Sequence, residues 1–258
     1  MYSLKSTFDQ LWLEFSHAVA ACRVDVRKSH VHDLRTGSRR MEALLQKTRE
    51  DHPSATELHQ HTTRALRQLK KLRRLAGPIR DIDVHLRLLR RLPQAEPRAV
   101  PHAEIDALQN KLNRNRLKLA AQLREYLDRK ELKLEGTFES IATDLKTLKL
   151  PSPTPLTTAR KWLRRSAVRI AKPTEKNLHD LRKQTKAARY LVALQPGSAT
   201  ARALVDKLRR VQTAIGNWHD RQLLETTATR ILGHDASLPA ALKTSTYLDR
   251  ALRLAQKT

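Results

Sequence analysis

The chain is short of most residues that mark other classes of protein, and each shortage excludes something. Cys22 is its one cysteine, so no internal disulfide can form and a reducing compartment fits. Six glycines in 258 residues and few β-branched runs argue against a sheet protein. No stretch of about 18 apolar residues exists, which removes a spanning helix. The start, Met1-Tyr2-Ser3-Leu4-Lys5, lacks the charged-then-apolar pattern of a secretory signal, so a soluble, cytoplasmic protein with no membrane partner is expected. Aromatics make up 4 % of the chain, too few to stack on successive bases of a single strand. A Gly-rich phosphate loop followed by Lys is missing, as is a paired-carboxylate cluster for metal-assisted phosphoryl transfer. No cofactor is therefore expected, and enzymatic turnover is disfavoured.

What the chain has in excess is positive charge. Against 26 Asp and Glu stand 51 Lys and Arg, a formal net charge of +25. That is far beyond what solubility requires and makes a polyanion the expected partner, with nucleic acid, acidic membrane and polyphosphate all qualifying by charge.

Leucines recur at spacings of three and four, and the expected fold class is all-α. In the first half, helices are predicted over 4–24, 30–49, 55–76, 79–92 and 103–131, with a resumption to 148. Gly77-Pro78, Pro93 and Gly136 serve as breaks. Alternating prolines in Pro151-Ser152-Pro153-Thr154-Pro155 read as a spacer. They divide the chain into halves 1–150 and 151–258. The second half is predicted to hold helices over 157–172, from 175 to Pro196, and over 199–215, 217–232 and 238–256.

Two stretches occur twice. His32-Asp33-Leu34-Arg35 returns as His179-Asp180-Leu181-Arg182, 147 positions further on, and seven residues past each histidine stands a base, Arg39 or Lys186. On a helix, offsets zero, three and seven share about 60° of arc, so these side chains lie on one face. Offsets two, nine and thirteen fall on the other face, and they hold Leu34, Met41 and Leu45 in one copy and Leu181, Ala188 and Val192 in the other. Arg40, Lys183 and Arg189 widen the basic stripe. Downstream, Lys70-Lys71-Leu72 through Gly77 to Asp81 can be laid over Arg209-Arg210-Val211 through Gly216 to Asp220. Each Gly reads as a helix end or kink, and each Asp as part of the next helix's start.

These four motifs, in this order, resemble the CHAD family, the conserved histidine α-helical domain. The first half matches its His-x-x-Arg-x-x-x-Arg-Arg pattern at His32, Arg35, Arg39 and Arg40, and the second half matches at His179, Arg182, Lys183, Lys186, Arg189 and Tyr190. One departure is Glu42, where the family often has a further Arg. The resemblance implies two pseudo-twofold-related helical bundles, about four to five helices each, forming one compact unit around a basic central cleft that binds inorganic polyphosphate. The residues expected to hold it are His32, Arg35, Arg39, Arg40 and Lys70 with His179, Arg182, Lys183, Lys186, Arg189 and Arg209. Asp81 and Asp220 are expected to position neighbouring arginines rather than touch phosphate.

The leading expectation is thus a non-enzymatic polyphosphate binder that concentrates on polyphosphate granules. Arginine can fork across two phosphate oxygens and lysine acts as a movable point charge. Charge alone equally allows a nucleic-acid binder, and the width of the cleft would separate the two. A metal site is not expected, because the pairs His30/His32 and His59/His61 diverge by about 200° on a helix. Tyr190, Trp162 and Trp218 read as core residues.

Overall fold

The structure, a computed structural model, describes residues 3–95, 101–148, 153–169, 174–194, 198–242, 248–249 and 252–254, with no strand among them. Its helices are α1 (Leu4–Val24), α2 (Lys28–Asp51), α3 (Thr56–Ala95), α4 (His102–Thr147), α5 (Pro155–Arg169), α6 (Glu175–Val192), α7 (Ala199–Leu232) and α8 (Ser237–Ala241). Pro151 and Ser152 of the expected spacer lie outside the described residues, and Pro155 is already the first residue of α5, where a missing N–H is harmless.

Four of the expected breaks are absent. α3 runs through Gly77-Pro78 and past Pro93, α4 through Gly136, and α7 through Gly216. Pro78 removes one backbone donor from α3, yet Leu69, Leu72 and Ala76 before it and Ile79 and Ile82 after it are all buried. Burial on both sides outweighs one lost hydrogen bond. In the other direction, the helix expected over 238–256 ends as α8 at Ala241, with residues 248–249 and 252–254 helical again beyond residues outside the description.

α1, α2, the first part of α3 and the second part of α4 enclose one core, in which Phe8, Phe15 and Phe138 are fully buried and the Trp12 ring stacks 4.4 Å from that of Phe138. The far ends of α3 and α4 leave this core and close a second one with Leu224 and Ala228 of α7 and Leu238 and Leu242 around α8. There Glu104, at the start of α4, accepts hydrogen bonds from the Ser237 and Leu238 amides, which holds its carboxyl below the usual range. α6 packs between α5 and α7 through Ala188, Leu191, Val192 and Leu208, and through Leu178, Leu181, Ile215 and Trp218. It begins at a capping box, with the Thr174 amide donating to Asn177 Oδ1 at 2.6 Å.

The two helices that carry the repeated stretch, α2 and α6, pack against each other, and Ala43 of α2 is buried in the cluster built around α6. Leu34, Met41 and Leu45 turn into the first core, while Leu181, Ala188 and Val192 turn into the clusters of the second half. With each apolar face committed to its own side, the basic faces are left to meet between them.

Two glycines mark opposite packing regimes. A Cβ on Gly37 would lie 3.1 Å from Phe15 Cδ2, so α1 and α2 approach closely there, whereas a Cβ on exposed Gly136 would meet nothing within 4 Å. Gly136→Ala should therefore stabilise the protein by about 0.5–1 kcal/mol through helix propensity alone. Gly37→Ala should destabilise it by about 1–3 kcal/mol through overpacking. Urea unfolding midpoints of the two variants and the parent check both signs.

Candidate anion-binding site

The basic faces of α2 and α6 bring Arg35, Arg39, Arg182 and Lys186 within electrostatic reach of one another. All four are half-buried rather than solvated. Burial holds the Arg35 guanidinium below its usual range, with Arg39 and Arg80 adding to the effect and Asp81 opposing it. Arg182 is lowered in the same way, by burial and then by Arg39, while Asp220 and Asp81 oppose. The softest of the four gives way furthest: burial, followed by repulsion from Arg182, Arg39 and Arg35, pushes the Lys186 ammonium down to about 7. Side chains 147 residues apart in sequence therefore form one crowded cationic group.

α3 and α7 supply what lies behind this group. A Cβ on Gly77 would come within 3.2 Å of Arg35 Nη1, and one on Gly216 within 3.7 Å of Arg182 Nη2. These glycines are not helix ends. They are the places where an uninterrupted helix is thin enough for a guanidinium to lie against it. One turn further along the same faces stand Asp81 and Asp220, at mid-helix, so neither acts on a helix N-terminus as the broken-helix reading allowed. Asp81 is raised by burial, and Asp220 adds to this while Arg35 and His85 oppose, so the two carboxylates sense each other across the halves. That proximity of carboxylates is not visible in the sequence.

The remaining expected residues occupy three other settings. Arg40 leaves the group for α1, where its Nη1 donates to Glu14 at 2.9 Å. The Arg189 guanidinium lies 4.9 Å from the centre of the Tyr190 ring, and Tyr190 is half-buried near Arg35 and Arg182. His32, Lys70, His179, Lys183 and Arg209 are exposed. Lys183 pairs with Asp180 at 3.2 Å and Arg209 with Asp206 at 3.9 Å. Lys70 and Arg209 stand seven residues before Gly77 and Gly216, so each shares that glycine's helix face about 10 Å away. His179 packs 5.4 Å ring to ring against His219, and burial and then Lys183 and Arg182 hold it below the ordinary histidine range.

Several residues of the site were not in the expected set. His219 was legible as the residue before Asp220 in the second repeat; burial and then Arg182 lower it. His85, buried one turn beyond Asp81, leaves Nδ1 without a partner and is lowered by burial. The corresponding position on α7 is Leu224, so the repeat gave no hint of it. Glu42 does not remove a charge from the site but recruits one, since it pairs with Arg73 of α3, itself close to Arg39. Buried donors are left over as well: Arg40, Arg182 and Arg189 each have an Nε without a partner, as does Arg73 Nη1.

The arrangement is suited to holding a chain of anionic oxygens. No group of three or more His, Cys, Asp or Glu that could hold a metal ion occurs among the described residues. No helix among them is long and apolar enough to cross a membrane. A family model described as the CHAD domain matches residues 9–229, a span that takes in both copies of both repeated stretches. No curated protein matches the chain.

The lowered Lys186 has a consequence for stability with a definite sign. Below about 7 the ammonium is charged in folded and unfolded chains alike, and the folded state bears the full penalty. Between about 7 and its unfolded value of 10.5 the unfolded chain holds the extra proton, so this group makes stability rise with pH. Lys186→Met should remove that rise. The difference between parent and variant, measured by urea unfolding from pH 6 to 10, should be largest at the acid end, where the variant is the more stable. Its slope should not exceed about 1.4 kcal/mol per pH unit, the limit for one proton.

Proposed function

The chain belongs to the CHAD domain family, and from that premise we propose that it binds inorganic polyphosphate in the cleft between α2 and α6 without processing it. The observation that supports this best is the crowding of Arg35, Arg39, Arg182 and Lys186, with Asp81 and Asp220 offsetting only part of their charge. A linear polyanion relieves that repulsion, and its successive phosphates match cations contributed alternately by two helices. Arginines fork across phosphate oxygens, and Lys186 follows the chain as a point charge. In this reading the halves 1–150 and 151–258 are related by a pseudo-twofold axis between α2 and α6. The exposed His32, Lys70, His179, Lys183 and Arg209 extend the contact beyond the buried four, with Arg40 and Arg189 at its sides. Such binding would concentrate the protein on polyphosphate granules in the cytoplasm.

The reading is of a binder because the cleft's carboxylates are balanced against arginines rather than gathered for acid–base or metal work. Duplex nucleic acid is the competing ligand that charge alone allows. A competition decides between them. Labelled long-chain polyphosphate near physiological salt should be displaced by unlabelled polyphosphate and not by duplex DNA or RNA at equal phosphate concentration. Equal displacement by all three would mean that the +25 charge acts as an unselective surface. Combined Arg35→Ala, Arg39→Ala, Arg182→Ala and Lys186→Ala should abolish tight binding with helicity unchanged.

Binding should also carry protons. At pH 8 the free Lys186 ammonium, with its value near 7, is mostly deprotonated, and an adjacent polyanion favours the charged form. Uptake approaching one proton per site is expected. It is read from titration calorimetry in buffers of differing ionisation enthalpy, and Lys186→Met should eliminate it. Affinity should therefore rise as pH falls from 9 to 6, as Lys186 takes up its proton.

A further inference from the structure

A cavity of about 600 Å³ lies where α2 and the start of α3 face α5 and α6, and its lining includes none of Arg35, Arg39, Arg182 and Lys186. Its size falls in the range that holds drug-sized ligands. Gln46 and Arg49 bring α2 to it, seven and ten residues past Arg39, hence about 10 to 15 Å further along the helix axis. Trp162, Arg165 and Gln184 line it from α5 and α6.

The chemistry of this lining differs from that of the cleft. Glu50 fixes one wall, because Trp162 Nε1 donates to its Oε1 at 3.1 Å and Arg165 Nη1 donates to its Oε2 at 3.4 Å. Glu50 thereby neutralises Arg165 and fixes the edge of the indole. Arg49 is left with no ion pair among the described residues and is half-buried. Gln46 is exposed in the lining and carries an amide that can both donate and accept. The cleft offers cations and little else, whereas this cavity combines one indole, one unpaired guanidinium and amides that both donate and accept.

We infer that this cavity is a second, separate ligand site, for a mononucleotide. Arg49 takes the phosphate, the indole of Trp162 gives the base a surface to lie on, and the exposed amide of Gln46 meets a base edge. A polyphosphate chain has no aromatic ring and would leave Trp162 unused. Because the walls come from both halves, an occupant would also tie α5 and α6 to α2 beyond the link that Glu50 already makes.

The test uses the full chain, with AMP as probe and ribose 5-phosphate as its base-free control, by titration calorimetry near physiological salt. One AMP per chain should bind, roughly tenfold tighter than ribose 5-phosphate, the difference being stacking and base contacts. Arg49→Ala should weaken AMP by about tenfold, the loss of charged hydrogen bonds. Gln46→Leu should weaken AMP while leaving ribose 5-phosphate unchanged. Arg182→Ala/Lys186→Ala, which disrupts the cleft, should leave AMP within about twofold. The proposal is overturned by no AMP binding at about 1 mM, by equal affinity for the two probes, or by loss of AMP binding in the cleft variant but not in Arg49→Ala.

Discussion

The rest of the structure is arranged around an unfavourable contact. Arg35 and Arg39 from one helix and Arg182 and Lys186 from another are held partly out of water beside each other, and the site's two carboxylates offset only part of the repulsion. Left to themselves, long cationic side chains would swing out into solvent and separate. They stay because α2 and α6 are each fixed by an apolar face that has nowhere else to go. Leu34, Met41 and Leu45 are fully or nearly fully buried on one side, and Ala188 and Val192 are so on the other. Full burial of an aliphatic side chain contributes roughly 1.5–3 kcal/mol, so a few such residues on each helix outweigh the residual repulsion of the four charges.

The continuity of α3 and α7 has the same origin. Glycine in a helix interior costs about 1 kcal/mol relative to alanine, and a proline beside it costs more. A helix that carries both, as α3 does, still runs unbroken because Leu72 and Ala76 before the pair and Ile79 and Ile82 after it are buried. With Gly77 and Asp81 one turn apart, the guanidinium of Arg35 has a hollow to lie in and a carboxylate next to it. Gly216 and Asp220 do the same for Arg182. The first part of α3 belongs to one core and its far end to another, shared with α4, α7 and α8. The floor of the site is thus a segment clamped at both ends, which suits a surface that must keep like charges in place.

Much of this was legible in the sequence, for reasons that also explain what was not. The 3.6-residue period separates the faces of α2 and α6 without any structure, and duplication shows that the charges are placed as deliberately as the leucines. Periodicity, however, gives a face and not a depth. It cannot tell half-buried Arg35 from exposed Lys70 or Arg209, which lie on equally basic stripes. Glycine and proline were read as punctuation because local propensity is all a sequence offers, and tertiary burial overrode it at Gly77-Pro78, Gly136 and Gly216. His85 escaped because it has no twin. Trp162, assigned to a core, does pack against the cluster around α6 but is only half-buried and also lines a cavity. Trp218, assigned in the same way, is buried as expected.

The division between face and depth bears on how so basic a protein could be selective. Most of the +25 charge is carried on exposed helix faces, of which Arg64, Arg67, Lys71 and Arg74 on α3 are one. At physiological salt the screening length is about 8 Å, so charges of this kind attract any polyanion at long range but discriminate poorly and fade as salt rises. The four cations between α2 and α6 are partly withdrawn from solvent, so their mutual repulsion is less screened. In the proposed reading, net charge governs encounter with a polyanion, and the geometry set by two glycines, two aspartates and two apolar faces governs which one is retained.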